Sequence, residues 1–435
     1  SLRRVRVRAD AYRGHPKPEE VDERFRQSLK WSTGGGDTVR LGGPNIEIID
    51  CDFYGSGRAL FLSKVRGGRV ENNHFYNGRW GWYCISGSNG LIFENNTITG
   101  GDLMSTGGGM NCLDGSSSSE NVYYARNTLR LFHGWDREAM TSDAGGEVYI
   151  GKVASVDART VTLAEEPKQS HRDWKGAGVF ILDGRGAGQY RRVTAYDGRR
   201  VEIDRPWLVE PDAESDLSIT MFQGRYMLLN NTFTDTGAMQ FYGTSIECLV
   251  AGNRGTRMSG FRGLGLWYHG YQPSWFCQFL DNDIVEGNYY HWTSATQAKI
   301  DIYGARRGEY EGPLNRGAVV RGNRLRNNAH VRISGSCRDV LVERNHVADN
   351  DQGIFVSNSV ENALLRKNTF ENVEHEVVDE EAIRRAAEAR MKQFLGRQEP
   401  VAAWDFERVL NKAFPDTTDN GFPARIEGDA VQIDD

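Results

Sequence analysis

Asn323-Arg324-Leu325, Asn345-His346-Val347 and Asn368-Thr369-Phe370 carry one pattern at steps of 22 and 23 residues. The same pattern occurs at Asn73-His74-Phe75, Asn96-Thr97-Ile98, Asn127-Thr128-Leu129, Asn231-Thr232-Phe233, Asn253 and Asn282-Asp283-Ile284. Apolar residues stand three and usually five positions earlier, as Cys248 and Val250 do before Asn253, or Val340 and Val342 before Asn345. Cys51 takes the slot one step before Asn73, with cysteine replacing asparagine. A repeat of this length, alternating in hydropathy and punctuated by a turn residue, cannot bury a core one unit at a time. It must stack as a solenoid.

A second strand follows each asparagine. It reads Ala59-Leu-Phe-Leu62, Met239-Gln-Phe-Tyr242, Leu266-Trp-Tyr-His269, Ile300-Asp-Ile-Tyr303, Val331-Arg-Ile-Ser334 and Ile354-Phe-Val-Ser357. Strand side chains alternate faces, so the first and third residues of each quartet point inward and the second and fourth outward. Buried asparagine side chains can then bond from coil to coil in a ladder.

These features resemble the right-handed parallel β-helix superfamily of pectate-lyase-like carbohydrate-active proteins. The resemblance covers roughly residues 39–372 and implies an all-β solenoid of about ten coils. Lyases, hydrolases, epimerases and phage tailspikes share that fold, so it does not by itself choose an activity. It also implies a secreted or periplasmic protein, although Ser1-Leu2-Arg3-Arg4 carries no signal-peptide core.

Composition agrees with a turn-rich β protein. The 435 residues include 50 glycines, aromatics make up 11%, and the net charge is −6. No long basic run suggests nucleic acid, and no apolar run reaches the ~20 residues of a membrane span. The six cysteines form no Cys-x-x-Cys pair, which disfavours zinc. Cys84 with Cys112 and Cys248 with Cys277 fall in shared inward columns, where stacked free thiols are expected ahead of disulfides.

Four regions are expected. Residues 1–38 lack the repeat and read as a cap or linker. Residues 39–145 and 221–372 form the β-helix. The 104-residue interval from Asn127 to Asn231 holds a small β-domain at 146–220, with Gly184–Gln189 and Asp197-Gly198 as turn signals. Its glycines do not lead into a helix, so a phosphate loop is disfavoured. Residues 373–435 read as a cap with a helix at Asp379–Leu395.

The outward positions of the central coils supply the chemistry. Gln240, Tyr242, Trp267, His269, Asp301, Tyr303 and Arg332 make one patch, with Lys299 and His330 at strand starts and Trp292 on a flanking loop. A second concentration contains His133, Asp136, Arg137, Glu138 and Asp143. Aromatic faces for pyranose rings beside acid, imidazole and guanidinium groups fit a sugar-processing groove. The preferred expectation is a glycoside hydrolase using Asp301 with a partner among Asp136, Glu138 and Asp143, or a loop acid such as Glu286 or Glu309, and with His269 beside them. Arg332, Lys299, Tyr303, Tyr242, Trp267, Gln240, Arg137, Trp292 and His133 would hold substrate. Glu138 is placed in an inward column, to be paired or presented to the groove. Strands about 4.8 Å apart put Asp143 about 14 Å from Asp301, against the ~9.5 Å upper limit for a carboxylate pair. The alternative is a lyase or epimerase, in which Arg332 or Lys299 neutralises a uronate and His269, Tyr303 or Tyr242 moves protons. A third reading is a non-catalytic, tailspike-like glycan binder. No cofactor is expected and calcium is not indicated, because Asp301 is the one clearly outward acid in that patch. Asp52, His74, Asp283 and His346 are read as surface turn residues, and Asp114 as turn chemistry.

Overall fold

The computed structural model describes residues 1–9, 39–55, 59–76, 83–100, 108–109, 118–132, 138–143, 147–168, 173–267, 270–287, 298–306, 312–379, 413–414 and 424–425. The chain divides into two units, Ser1–Val378 and Asp379–Asp435. The first is a parallel β-helix whose coils pair strand on strand, as Thr128–Arg130 does with Thr97–Thr99 on one side and with Thr232–Thr234 on the other. In the second, Ala413–Phe414 pairs antiparallel with Ala424–Arg425. The helix expected at Asp379–Leu395 lies outside the described residues. Among the described residues no helix is long and apolar enough to cross a membrane.

The asparagines form an unbroken ladder. Asn73, Asn96, Asn127, Asn231, Asn253, Asn282, Asn323 and Asn345 each donate their backbone N–H to the Oδ1 of the next member, at 2.8–3.1 Å. The Cys51 N–H enters the series through Asn73 Oδ1 at 2.9 Å. Each Nδ2 donates both to the next Oδ1 and to a carbonyl of the preceding coil, as Asn96 does to Asn127 and to Val70. Buried amides survive at such positions because every donor and acceptor finds a partner. The residue just before the asparagine turns the chain in the left-handed region, with φ of 55° at Asn95, 54° at Arg126 and 53° at Asp281. That residue makes the turn, and the next strand starts immediately after the asparagine. Asp52, His74, Asp283 and His346 therefore sit on strands, at odds with their expected turn positions.

Pairing begins before residue 39. Leu2–Arg3 lies beside Ile48–Ile49, and Arg6–Ala9 beside Asp52–Gly55, both parallel. The cap expected over residues 1–38 thus opens with coil structure. The N-terminal coils are filled by two in-register aromatic pairs, Phe53 on Phe75 and Phe93 on Tyr124, each 5.0 Å between centroids, which meet across the core where Phe75 and Phe93 lie 6.0 Å apart. In-register stacking places like residues over like, and burying each ring contributes about 1.5–3 kcal/mol. Cys248 and Cys277 are buried free thiols of the core, as the apolar reading expects.

The insertion is a closed barrel of six antiparallel strands: Glu147–Asp157, Thr160–Leu163, Gly178–Asp183, Tyr190–Asp197, Arg200–Ile203 and Asp216–Thr220. Closure leaves no unpaired edge, and its interior is its own, built around Val153, Trp174, Val193 and Leu217. It docks on the face formed by Gln223–Gly224, Ser245–Ile246, Ser274–Trp275 and Asn315–Arg316. There Phe180 and Leu182 pack with Phe222, Ile246, Trp275 and Leu314. Glu120, almost fully buried, pairs with Arg192 of the barrel and Arg225 of the solenoid. The docked face lies beside the one carrying the candidate site, which the barrel strands do not pair with.

Candidate functional site

Five strands lie side by side across the central coils: Met140–Asp143, Met239–Tyr242, Gly260–Trp267, Ala298–Gly304 and Ala329–Gly335. Their inward residues, Met140, Met239, Phe261, Ile300 and Val331, share one register position and fill the core. That fixes the next position as outward. It carries Thr141, Gln240, Arg262, Asp301 and Arg332 in one row, ending against Phe355. Two residues earlier the row is Gly260, Lys299, His330. Two residues later it is Asp143, Tyr242, Leu264, Tyr303, Ser334.

Asp301 therefore has Arg262 on one side and Arg332 on the other, each about one strand spacing (~4.8 Å) away, with Lys299 two residues back on the same face. Three cations surround one carboxylate. The group is sheltered, with Asp301 8% and Lys299 7% exposed. Asp301 Oδ1, His330 Nδ1 and Ser334 Oγ are buried with no hydrogen-bond partner among the described residues. Such atoms are costly to leave unsatisfied, and they often mark a place where something else binds. Arg332 lies over the Phe355 ring at 5.7 Å, which steadies its guanidinium.

The electrostatics follow. Burial lowers the Lys299 ammonium to about 8; Asp301 opposes this, and Arg332 and Arg262 add to it. Burial also raises the Tyr303 phenol, with Asp301 reinforcing and Arg332 opposing, so it stays protonated at neutral pH. His330 is held down to about 3 by burial and by the charges of Lys299 and Arg332. It is a neutral imidazole under ordinary conditions.

His330 gives a stability prediction. An unfolded histidine titrates near ~6.5, so between that pH and about 3 the unfolded chain binds a proton that the folded chain refuses. Stability falls as pH drops through this window, with this group contributing up to about 1.4 kcal/mol per pH unit. His330→Gln should flatten the dependence of the urea midpoint on pH below about 6.5. Parallel wild-type and variant curves would contradict the burial of a neutral imidazole.

The structure brings Gln240, Tyr242, Lys299, Asp301, Tyr303 and Arg332 together on one face. Trp267 is elsewhere. Its strand registers Arg262 against Asp301 and Leu264 against Tyr303, while Trp267 pairs antiparallel with Tyr271 in a hairpin. Alternation alone selects Leu266-Trp-Tyr-His269 for that coil, because glycines at 263 and 265 mask the true inward positions. Arg262 escapes sequence reasoning for the same reason. Spacing would have found it: Met239 follows Asn231 by eight residues, Val331 follows Asn323 by eight, and Phe261 follows Asn253 by eight.

The strand Met140–Asp143 is displaced by two residues from its expected alignment, since Met140, not Glu138, pairs with Met239. Glu138 thus precedes the strand and is half-buried, outside the inward column. Gln240 Nε2 donates to its Oε1 at 2.5 Å. Asp143 falls in the Tyr242 row, on a strand three steps from that of Asp301. Of the loop acids, Glu286 is paired with Arg257. His133, Asp136, Arg137, His269, Trp292 and Glu309 lie outside the described residues.

A scaffold of stacked parallel coils with an asparagine ladder defines a class, the right-handed β-helix, and the family model for the right handed beta helix region matches residues 27–129. No curated protein matches the chain. Among solved structures the chain is similar to PfbA, a surface adhesin of Streptococcus pneumoniae, at 13% identity and a TM-score of 0.43, covering 92% of this chain and 80% of that one. It is also similar to the catalytic domain of an α-1,3-glucanase in complex with nigerose (11% identity, TM-score 0.34, 79% and 59% covered). An alginate lyase from a Paenibacillus species matches at 10% identity and a TM-score of 0.32, with 86% and 99% covered.

Proposed function

We propose that the face carrying Asp301 takes the uronate carboxylate of an acidic polysaccharide and cleaves the chain by β-elimination. The observation that supports this reading is the row Arg262–Asp301–Arg332 with Lys299 beside it. A cluster with two more positive than negative groups suits an anionic ligand. The hydrolase expectation asks for two carboxylates within ~9.5 Å; the strand of Asp143 lies three spacings, about 14 Å, from that of Asp301, while Glu138 reaches across to Gln240, two strands from Asp301, and is held there by that bond.

In the elimination, Arg262 and Arg332 grip the substrate carboxylate and draw charge from the ring, which acidifies the adjacent C5–H. The Lys299 amine, deprotonated at mildly alkaline pH, removes that proton. The electron pair forms the C4–C5 double bond as the C4–O bond breaks. The Tyr303 hydroxyl gives its proton to the departing glycosidic oxygen. Asp301 offsets part of the cationic charge so that the group can be assembled before substrate arrives. Such polysaccharides are met outside the cell or in the periplasm.

The test is product chemistry against pH. Oligomers and polymers of mannuronate, guluronate and galacturonate should yield the ultraviolet absorbance of an unsaturated uronate, with kcat/KM rising through pH about 8 as Lys299 loses its proton. Lys299→Met should remove both the limb and the turnover. New reducing ends without absorbance would establish hydrolysis and end the elimination reading. A glycan bound but never cut would leave the binding role alone.

A further inference from the structure

A second cluster lies on the first coils, on the face that follows the asparagines. There Arg6, Asp52 and His74 share one outward row, and Arg8, Tyr54 and Tyr76 the other. The rows border an open concavity of about 520 Å³, floored in part by Phe53. That is within the range of small-ligand sites. Tyr54 and Tyr76 stack at 5.2 Å with 24° between their planes, and the Arg8 guanidinium covers Tyr54 at 5.1 Å. Arg6 pairs with Asp52 at 3.3 Å, and the His74 and Tyr76 rings lie 5.9 Å apart. The next coil changes character. Tyr76 is followed in its row by Thr99, and His74 by Thr97. The aromatic stack therefore ends at Tyr76, 39% exposed; beyond it the buried Thr99 hydroxyl accepts from Arg130 Nε at 3.3 Å and lies 3.4 Å from His74 Nε2.

We infer that this concavity is a second glycan-binding site, which holds an acidic sugar chain away from the Asp301 face. The exposed part of the Tyr76 ring offers a platform for the C–H face of a pyranose ring, since aromatic surfaces attract apolar and weakly positive edges. Arg6, Asp52 and His74 line the opposite side with donors and acceptors for hydroxyls. Two arginines against one aspartate leave a net positive charge, which selects a carboxylate-bearing chain over a neutral one. The residues are separated by several coils from Asp301, so the site acts on binding and not on bond cleavage. It shares with the elimination reading the premise that the ligand is an acidic glycan. A polymer held at both places would gain affinity by avidity, without further contacts at either.

The experiment is calorimetric titration of the full chain with oligosaccharides of mannuronate, guluronate and galacturonate, with a neutral glucan as control. It is run on the wild type, Tyr76→Ala, Tyr76→Phe, Arg8→Gln and Arg332→Ala. Tyr76→Ala and Arg8→Gln should each weaken the Tyr76-dependent binding about tenfold, the equivalent of about 1.4 kcal/mol. Tyr76→Phe should bind as the wild type does. Both weakened variants should keep kcat on short substrates while KM rises on polymer. Equal affinity in Tyr76→Ala and wild type would overturn the proposal, and so would preference for the neutral glucan. Loss of self-association by light scattering in place of glycan binding would assign the concavity to a second copy of the chain and also overturn it. If Arg332→Ala turns over normally while Tyr76→Ala weakens binding, the elimination reading fails and the second site stands. If Arg332→Ala loses turnover while Tyr76→Ala binds unchanged, elimination stands and the second site fails.

Discussion

Arg332→Ala is expected to lower kcat/KM on a uronate polymer by about a thousandfold, the cost of removing one preorganised group from developing negative charge. Arg332 is one strand from Asp301 and presents a half-buried planar fork backed by Phe355. Its loss also acts at a distance. Arg332 helps to hold the Lys299 ammonium down near 8, so the alanine variant should raise that value and move the ascending limb of the pH–rate profile to higher pH. Arg332→Lys should fall between the two, because it keeps the charge and loses the bidentate geometry. Rates measured at several pH values separate the effects: a lower plateau reports the lost grip, and a displaced limb reports the changed field. A variant with a wild-type plateau and limb would show that this face does not carry the reaction.

The second large effect concerns stability. Asn231→Ala is expected to cost about 3 kcal/mol or more, because it strips partners from several buried groups at once. Asn231 Oδ1 accepts from Asn127 N at 2.9 Å and from Asn127 Nδ2 at 3.0 Å, while its Nδ2 donates to Tyr124 O at 3.2 Å and to Asn253 Oδ1 at 2.9 Å. Alanine leaves the Asn127 amide and backbone N–H and the Tyr124 carbonyl without those bonds, in a core that admits no replacement. Asn368, at the far end of the ladder, is half-buried and can be rescued by water, so Asn368→Ala should cost markedly less. Denaturant midpoints of the two variants give the comparison. Equal losses would mean that the ladder is not the cooperative spine its geometry describes.

The ladder is legible in the sequence because it joins two strong constraints, a fixed period and a polar side chain that must be satisfied when buried. Where either weakens, legibility ends. The first coil puts Val5 in the slot, with no asparagine to flag it, so Leu2–Arg3 and Arg6–Ala9 pass for part of a cap. The strand Gly260–Trp267 replaces inward aliphatics by Gly263 and Gly265, so alternation points to Trp267 while register selects Arg262. The left-handed residue before each asparagine is marked only in part, being asparagine, aspartate or glycine at six positions and arginine or lysine at Arg126, Arg344 and Lys367. Backbone conformation there is imposed by the ladder bond that follows. The barrel is legible through its turns, Asp197-Gly198 above all. The burial of Asp301 and Lys299 is not. Alternation tells which side of a strand a residue occupies, and says nothing about what shelters that side.

The bond between Asn127 and Asn231 closes across 104 residues as tightly as its neighbours close across 22. Joining the ends of a long excursion costs only a logarithm of its length, a few kcal/mol at most for a flexible segment, and less when the segment folds on itself. Length between coils is therefore nearly free, whereas length within a coil is forbidden by the stack. A lineage built on such a frame can acquire, exchange or discard whole appendages at one corner while the geometry at another stays fixed. The frame separates what can evolve quickly from what cannot.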